Sequence, residues 1–361
     1  MNMLRLLGLL LFLSTSISSS GQDSALIHNK VVKKDHNKDI KSVFGKVDIG
    51  NLKVINSEDL DYSASLVGDG VIFTSTRSHH QQKEEKKRKN WKKKLSTLFY
   101  AQLGEDGKLR RPSPLQGEVN DRHHEGSASF TKSGDKMYFN RNAAKKNKKG
   151  VVHLKIYSAT KMEGMWTDVK ELSLNGDNFS SCHPSISADG KRLYFASNRK
   201  GGFGGMDIYV SYFKRGQWGE PINLGPLINS SGNEVFPYIA EDGILYFSSD
   251  SQGGMGGLDI FRSKKLNDSD RSWKHKQNMG HPFNSKEDDF GFFVNKECSA
   301  GLFTSSRSGG KGRDDIYFWQ LKEKPIFHAQ NEVPEKPTVP ALPLDADVIA
   351  IEDQHIEIGQ Y

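Results

Sequence analysis

The sequence predicts an all-β protein: a five-bladed β-propeller of four-stranded blades, closed by a strand from the N-terminal side. Three observations carry this reading. A turn-flanked aromatic segment recurs five times, as GDGVIFTSTR (68–77), SGDKMYFNRN (133–142), DGKRLYFASNR (189–199), EDGILYFSSD (241–250) and SAGLFTSSR (299–307). Its aromatics Phe73, Phe139, Phe195, Phe247 and Phe303 are 66, 56, 52 and 56 residues apart, a period that suits tandem four-stranded units. The composition agrees: 35 glycines among 361 residues, with short Tyr/Phe/Ile/Val runs between turn residues, describe turn-rich β structure.

Before the repeats, the chain begins with a positive Arg5, the apolar run LLGLLLFL, and small residues Ser19 and Gly21 placed for a cut before Gln22. That is the grammar of a secretory signal peptide over 1–21, followed by a flexible segment over 22–43. No run reaches the ~20 apolar residues of a membrane span, and no cysteine stands near the cut to carry a lipid. The expected location is the periplasm, or association with the outer membrane. Cys182 and Cys298 fall at different places in the repeat, so no disulfide is expected.

The propeller spans 44–321. A first strand precedes each aromatic segment: SASL (63–66), SASF (127–130), HPSIS (183–187), FPYIA (236–240) and FGFFV (290–294). A third follows it: LFYAQL (98–103), KIYSA (155–159), DIYVS (207–211), DIFRS (259–263) and DIYFW (315–319). A fourth is built around Trp166, Trp218 and Trp273. One small twisted sheet cannot bury both faces, whereas blades stacked in a ring can. The fifth unit stops after its third strand. Because GNLKVINSEDLDYSAS (50–65) parallels NLGPLINSSGNEVFPYI (223–239), residues near 44–55 are expected to supply the missing outer strand and latch the ring.

LYFASNRKGGFGGMDIYVS, QWGEPINLGPLINSSGNEVFPYI and DDFGFF…SSRSGGKGRDDIYFW resemble the TolB-type, WD-like propeller repeats of bacterial envelope proteins. They are most similar to the propeller of PorE-like OmpA-family proteins of type IX secretion, over about 44–321. The resemblance is to the propeller part alone. It implies a binding role in envelope assembly or secretion, with envelope proteins or the anionic outer-membrane surface as partners.

The motifs refine that expectation. GGFGG (201–205), GGMGG (253–257) and GGKG (309–312) fill one slot, the turn from second to third strand. A phosphate-cradling loop leads from a strand into a helix; these lead from strand to strand, so their glycines read as turn architecture. Asp207, Asp259 and Asp315 open the third strands, where a carboxylate accepts turn N–H groups.

A second acidic column, Asp61, Glu125, Glu234 and Asp288, with Ser181 in the third unit, lies five residues before an apolar residue of each first strand. Two readings stand: carboxylates crowding a channel mouth to hold Ca²⁺ or a basic peptide, or local pairing with Arg77, Arg141, Arg199 and Arg307. No cofactor motif accompanies them.

The chain's +7 charge is concentrated in two runs, KEEKKRKNWKKK (83–94) at +6 and KKNKK (145–149) at +4. Both fill the second-to-third-strand slot, in units one and two. Lys86, Lys87, Lys92, Lys93, Lys145, Lys146, Lys148 and Lys149 therefore form a basic rim suited to an anionic partner, lipid headgroups or an acidic protein. Nucleic acid is not expected for an exported chain.

The pairs His79-His80 and His123-His124 point to opposite faces and make no chelate; His183 is the one histidine inside a first strand. No nucleophile elbow, HExxH or CxxC is present. The tail, 322–361, runs from a Pro-rich linker to an acidic, strand-like end. The function expected is non-catalytic: a protein-interaction scaffold. The alternatives are a propeller hydrolase or lyase, and a carbohydrate binder with its site at the channel mouth.

Overall fold

The computed structural model describes residues 44, 46–78, 95–121, 123–251 and 253–322. The signal peptide, residues 22–43, the run 83–94, His79, His80 and the tail beyond Lys322 lie outside the described residues. Among the described residues no helix is long and apolar enough to cross a membrane.

The chain enters through β1 (Val47–Asn51). Blade one is β2 (Asp61–Val67), β3 (Gly70–Ser75), β4 (Thr97–Gln102) and β5 (Ser113–Pro114). Blade two is β6 (Glu125–Phe130), β7 (Lys136–Asn142), β8 (Leu154–Met162) and β9 (Met165–Glu171). Blade three is β10 (Ser181–Ile186), β11 (Arg192–Ser197) and β12 (Asp207–Lys214), its outer edge divided into β13 (Gln217–Trp218) and β14 (Ile222–Asn223). Blade four is β15 (Glu234–Ile239), β16 (Ile244–Ser249), β17 (Asp259–Lys264) and β18 (Gln277–Asn278). Blade five is β19 (Asp289–Val294), β20 (Ala300–Ser305) and β21 (Asp315–Leu321), completed by β1. The five sheets make a five-bladed β-propeller, antiparallel throughout. The closure is the expected one: β1 pairs antiparallel with β21, from Val47 opposite Leu321 to Asn51 opposite Tyr317.

Burial explains the repeat. The five phenylalanines of the second strands are each at most 1% exposed. They sit in apolar layers between successive blades, as where Leu98, Met137, Phe139 and Trp166 join blades one and two. A sixth cluster, with Cys182, Val235, Phe236 and Phe290 and the adjoining Tyr62, fills the centre of the ring. Cys182 belongs to this plug, Cys298 lies beside Asp242, and both thiols are free.

A five-fold asparagine clasp locks each blade's third strand to the loop that follows its outer strand. Asn120 Oδ1 accepts the Leu98 N–H at 3.0 Å while its Nδ2 donates to the Leu98 carbonyl at 2.9 Å. Asn175 does the same to Ile156, Asn229 to Ile208, Asn284 to Ile260 and Asn56 to Ile316. A primary amide carries a donor and an acceptor side by side, so it satisfies the N–H and C=O of one peptide residue together.

Candidate functional site

Each inner strand is bulged at its third residue. Ser63, Ser127, His183, Phe236 and Gly291 have φ of 54°, 28°, 53°, 50° and 63°, and the register with the second strand shifts there. The bulge turns this residue's N–H towards the preceding blade. Ser63 N–H donates to Thr304 Oγ1 at 3.0 Å, Ser127 N–H to Thr74 Oγ1 at 3.1 Å, and His183 N–H to Asn140 Oδ1 at 3.3 Å. In blade three the matching acceptor position is Ala196, which has none; there the His183 imidazole takes over, its Nδ1 accepting the Phe236 N–H at 3.4 Å. Burial pushes the His183 pKa down from 6.5 to about 3, so the ring is neutral, and it stacks on Phe236 at 3.7 Å.

Past the bulges the inner strands line a funnel of about 330 Å³, open on the face of the first-to-second-strand turns. Its lining includes Phe236, whose ring packs 4.7 Å from that of Phe290 in the central plug. Its wall is polar, with Ser63, Ser65, Ser127, Ser129 and Ser185, and its rim carries Lys132, Glu241 and Lys296. Lys132 of blade two pairs with Glu241 of blade four at 3.4 Å.

The acidic column lies at the other end of the same strands and is buried. Asp61 and Glu234 are 0% exposed and Glu125 is 1% exposed. The geometry is that of local pairing. Asp61 meets Arg77, and Glu125 meets Arg141 at 3.1 Å. Each guanidinium lies over the aromatics of its own blade, Arg77 over Phe73 and Phe99, Arg307 over Phe303 and Tyr317. Each also donates to backbone carbonyls of the preceding linker, as Arg141 does to Glu118 and Val119 and Arg199 to Leu174. Blade three has Arg199 facing Ser181 at 3.2 Å, and burial lowers the Arg199 pKa. In blade four Ser251 replaces the arginine, and Lys276 supplies the cation to Glu234 at 3.4 Å.

Asp288 is not the fifth member; Asp289 is. Asp289 faces Ser305 in the register, is 0% exposed, and pairs with Arg307 at 2.8 Å. Asp288 is half-buried and accepts the Leu258 N–H at 2.8 Å. Counting back from an apolar residue failed here because Phe293 and Val294 are both apolar, and Val294 holds the buried position. Among the described residues no three His, Cys, Asp or Glu side chains gather into a metal-ligating group.

Glu125 departs from its equivalents. Asp61, Glu234 and Asp289 each accept both the N–H and the hydroxyl of a serine four residues earlier, Ser57, Ser230 and Ser285. In blade two that position is Asp121, which offers no hydroxyl. Burial raises the Glu125 pKa from 4.5 to about 9, outweighing Arg141. The nearby His123 is 3.5 Å from Asp121.

The glycine loops are architecture, as their strand-to-strand setting implies. Asp207 accepts the Phe203 and Gly204 N–H groups at 2.6 and 3.1 Å, Asp259 that of Met255, and Asp315 those of Lys311 and Gly312. A β-carbon on Gly202, Gly254 or Gly310 would collide with the same carboxylate oxygen. What these loops present outward differs: Phe203 is 50% exposed and Met255 48%. In blade two the slot holds Lys145, Lys146, Lys148 and Lys149, all exposed, beside exposed Val151 and Val152. All these loops leave the ring on the face opposite the funnel.

This is a β-propeller with a polar funnel on one face and a cationic, apolar-tipped rim on the other. No protein-family model matches the chain, and no curated protein matches it. Among solved structures it is similar to TolB from Acinetobacter baumannii at 18% identity and TM-score 0.37, over 61% of this chain and 48% of that one. The chain thus spans about half the length of that protein. It is similar also to a putative TolB from Agrobacterium tumefaciens (14%, TM-score 0.43, 77% of this chain and 91% of that one). A third is the catalytic domain of a Coprinopsis cinerea GH62 α-L-arabinofuranosidase (10%, TM-score 0.46, 76% and 95%).

Proposed function

We propose that this protein is a non-catalytic, exported scaffold of the bacterial envelope that docks an anionic partner on the face of its second-to-third-strand loops. One observation carries the reading: four exposed lysines, Lys145, Lys146, Lys148 and Lys149, stand beside exposed Val151 and Val152, with Phe203 and Met255 exposed in the equivalent loops of the next two blades. Clustered ammonium groups draw in an anionic surface over about 8 Å at physiological salt, and apolar tips hold it once docked. The run 83–94 fills the same slot of blade one and adds to this charge. The buried carboxylates favour a scaffold over a hydrolase, since each of the four is held against a basic side chain of its own blade. The likeness of the repeats to PorE-like propellers supports an envelope setting in type IX secretion or outer-membrane assembly.

The test is cross-linking in whole cells followed by recovery of the protein and its partners. An acidic envelope protein captured by the wild type, and lost when the four lysines become glutamine, supports the scaffold. Identical capture by both proteins overturns the assignment of this face.

A further inference from the structure

The funnel is chemically one-sided. Ser129 Oγ accepts the Ile186 N–H at 2.9 Å and Ser185 Oγ accepts the Ile239 N–H at 3.0 Å, so each hydroxyl keeps its proton for a further acceptor. Ser127, 4% exposed, lines the funnel with a buried Oγ that has no partner among the described residues. His183 uses Nδ1 as acceptor, which leaves Nε2 as the donor of the ring. At the rim Lys296 is exposed and has no carboxylate partner among the described residues. The lining holds a single carboxylate, Glu241, and Lys132 already occupies it.

A wall with free hydroxyl and imidazole protons, whose one carboxylate is already paired, suits a ligand group that accepts hydrogen bonds and carries negative charge. A buried hydroxyl without a protein partner gains from any acceptor that reaches it, and Ser127 is such a group on the funnel wall. The volume, about 330 Å³, exceeds a bare ion and reaches the lower range of organic-ligand pockets. Neutral donors with one unpaired ammonium match a singly charged group better than a doubly charged phosphate.

We propose that the funnel binds a carboxylate-bearing ligand, either a small organic acid or the C-terminal carboxylate of a peptide. The hydroxyls of Ser127, Ser129 and Ser185 and the His183 Nε2–H hydrogen-bond it, and Lys296 neutralises it. The Lys132–Glu241 pair spans the mouth from blade two to blade four, so Glu241 holds in reserve a second cation for the same ligand. This site lies on the face opposite the lysine rim and stands apart from the proposed scaffold role.

The experiment is calorimetric titration of the full chain with N-acetylglycinate, N-acetylglycinamide, a tripeptide with a free carboxyl group, and inorganic phosphate. Saturable heat is expected from a carboxylate and none from the amide. Heat from the tripeptide alone identifies a peptide terminus; heat from both acids identifies a small acid. Ser127→Ala, which removes a hydroxyl without a partner and leaves the fold intact, and Lys296→Gln each weaken binding about tenfold. Glu241→Gln releases Lys132 and strengthens it. The proposal is overturned by no heat from either acid, by equal heat from acid and amide, by phosphate binding more tightly than the acids, or by unchanged affinity in Ser127→Ala and Lys296→Gln.

Discussion

Asn56 and Ile316 stand 260 residues apart in the chain, yet Asn56 Oδ1 accepts the Ile316 N–H and Asn56 Nδ2 donates to the Ile316 carbonyl, both at 2.9 Å. Asn56 also bonds Asn51 Oδ1 at 3.0 Å, and Asn51 donates to Asp315 at 2.8 Å, so one amide network ties β1 to the last blade. Asn56→Ala leaves a buried N–H and C=O unpaired and is expected to cost roughly 2–4 kcal/mol, read from urea denaturation midpoints. A loss no larger than for an exposed substitution such as Lys53→Ala would show that β1 alone closes the ring.

The corrected fifth member of the acidic column separates two adjacent aspartates. Arg307→Met strands the buried Asp289 carboxylate and should cost about 3–5 kcal/mol, while Asp288→Asn, at a half-buried residue, should cost about 1 kcal/mol or less. Thermal unfolding of the two variants decides the order.

Stability should fall on both sides of a pH optimum. Glu125 is protonated in the folded protein up to about pH 9 but ionises near 4.5 when unfolded, so its contribution declines as pH rises through that window. His183 stays neutral down to about pH 3 when folded but takes up a proton near 6.5 when unfolded, so stability declines as pH falls from 6.5 towards 3. Glu125→Gln should flatten the alkaline limb and leave the acid limb unchanged, measured by urea unfolding across pH.

The glycine loops separate architecture from contact. Gly254→Ala drives a β-carbon into the Asp259 carboxylate that holds the Met255 N–H, and should lower stability by about 1–3 kcal/mol. Phe203→Ser with Met255→Ser, at exposed loop tips, should leave the melting temperature unchanged and weaken partner capture. If capture persists in the double variant, the apolar tips take no part in docking.

Charge makes a matching prediction. Lys145, Lys146, Lys148 and Lys149 changed together to glutamine should reduce association with the envelope fraction, most strongly at low salt, without altering unfolding. Salt-independent fractionation of both proteins speaks against an electrostatic face.

The fold was legible because its signal is repeated: five buried phenylalanines at near-equal spacing, and an N-terminal echo of the outer strand, imply both the ring and its latch. The column of carboxylates was legible except at Asp288, where two adjacent apolar residues blurred the count. A better ruler was present in INSEDLD, INSSGNE and FNSKEDD, whose serine stands four residues before Asp61, Glu234 and Asp289. The asparagines before those serines, Asn56, Asn229 and Asn284, join Asn120 and Asn175 in a five-member column, more complete than the Asp207, Asp259 and Asp315 set. Their role stayed hidden because asparagine before a turn reads as loop chemistry. The funnel was not legible at all. It arises from bulges at Ser63, Ser127, His183, Phe236 and Gly291, residue types with nothing in common but the backbone conformation they share.

The latch also sets an order of events during synthesis. β1 and Asn56 leave the ribosome first, and their partners on β21 come about 260 residues later. Until then the earliest-made strand is an edge without a neighbour, and edges of that kind recruit stray strands. A ring whose final seam joins its two most distant segments has its longest loop closure last, a demanding step for a chain that must find its own beginning.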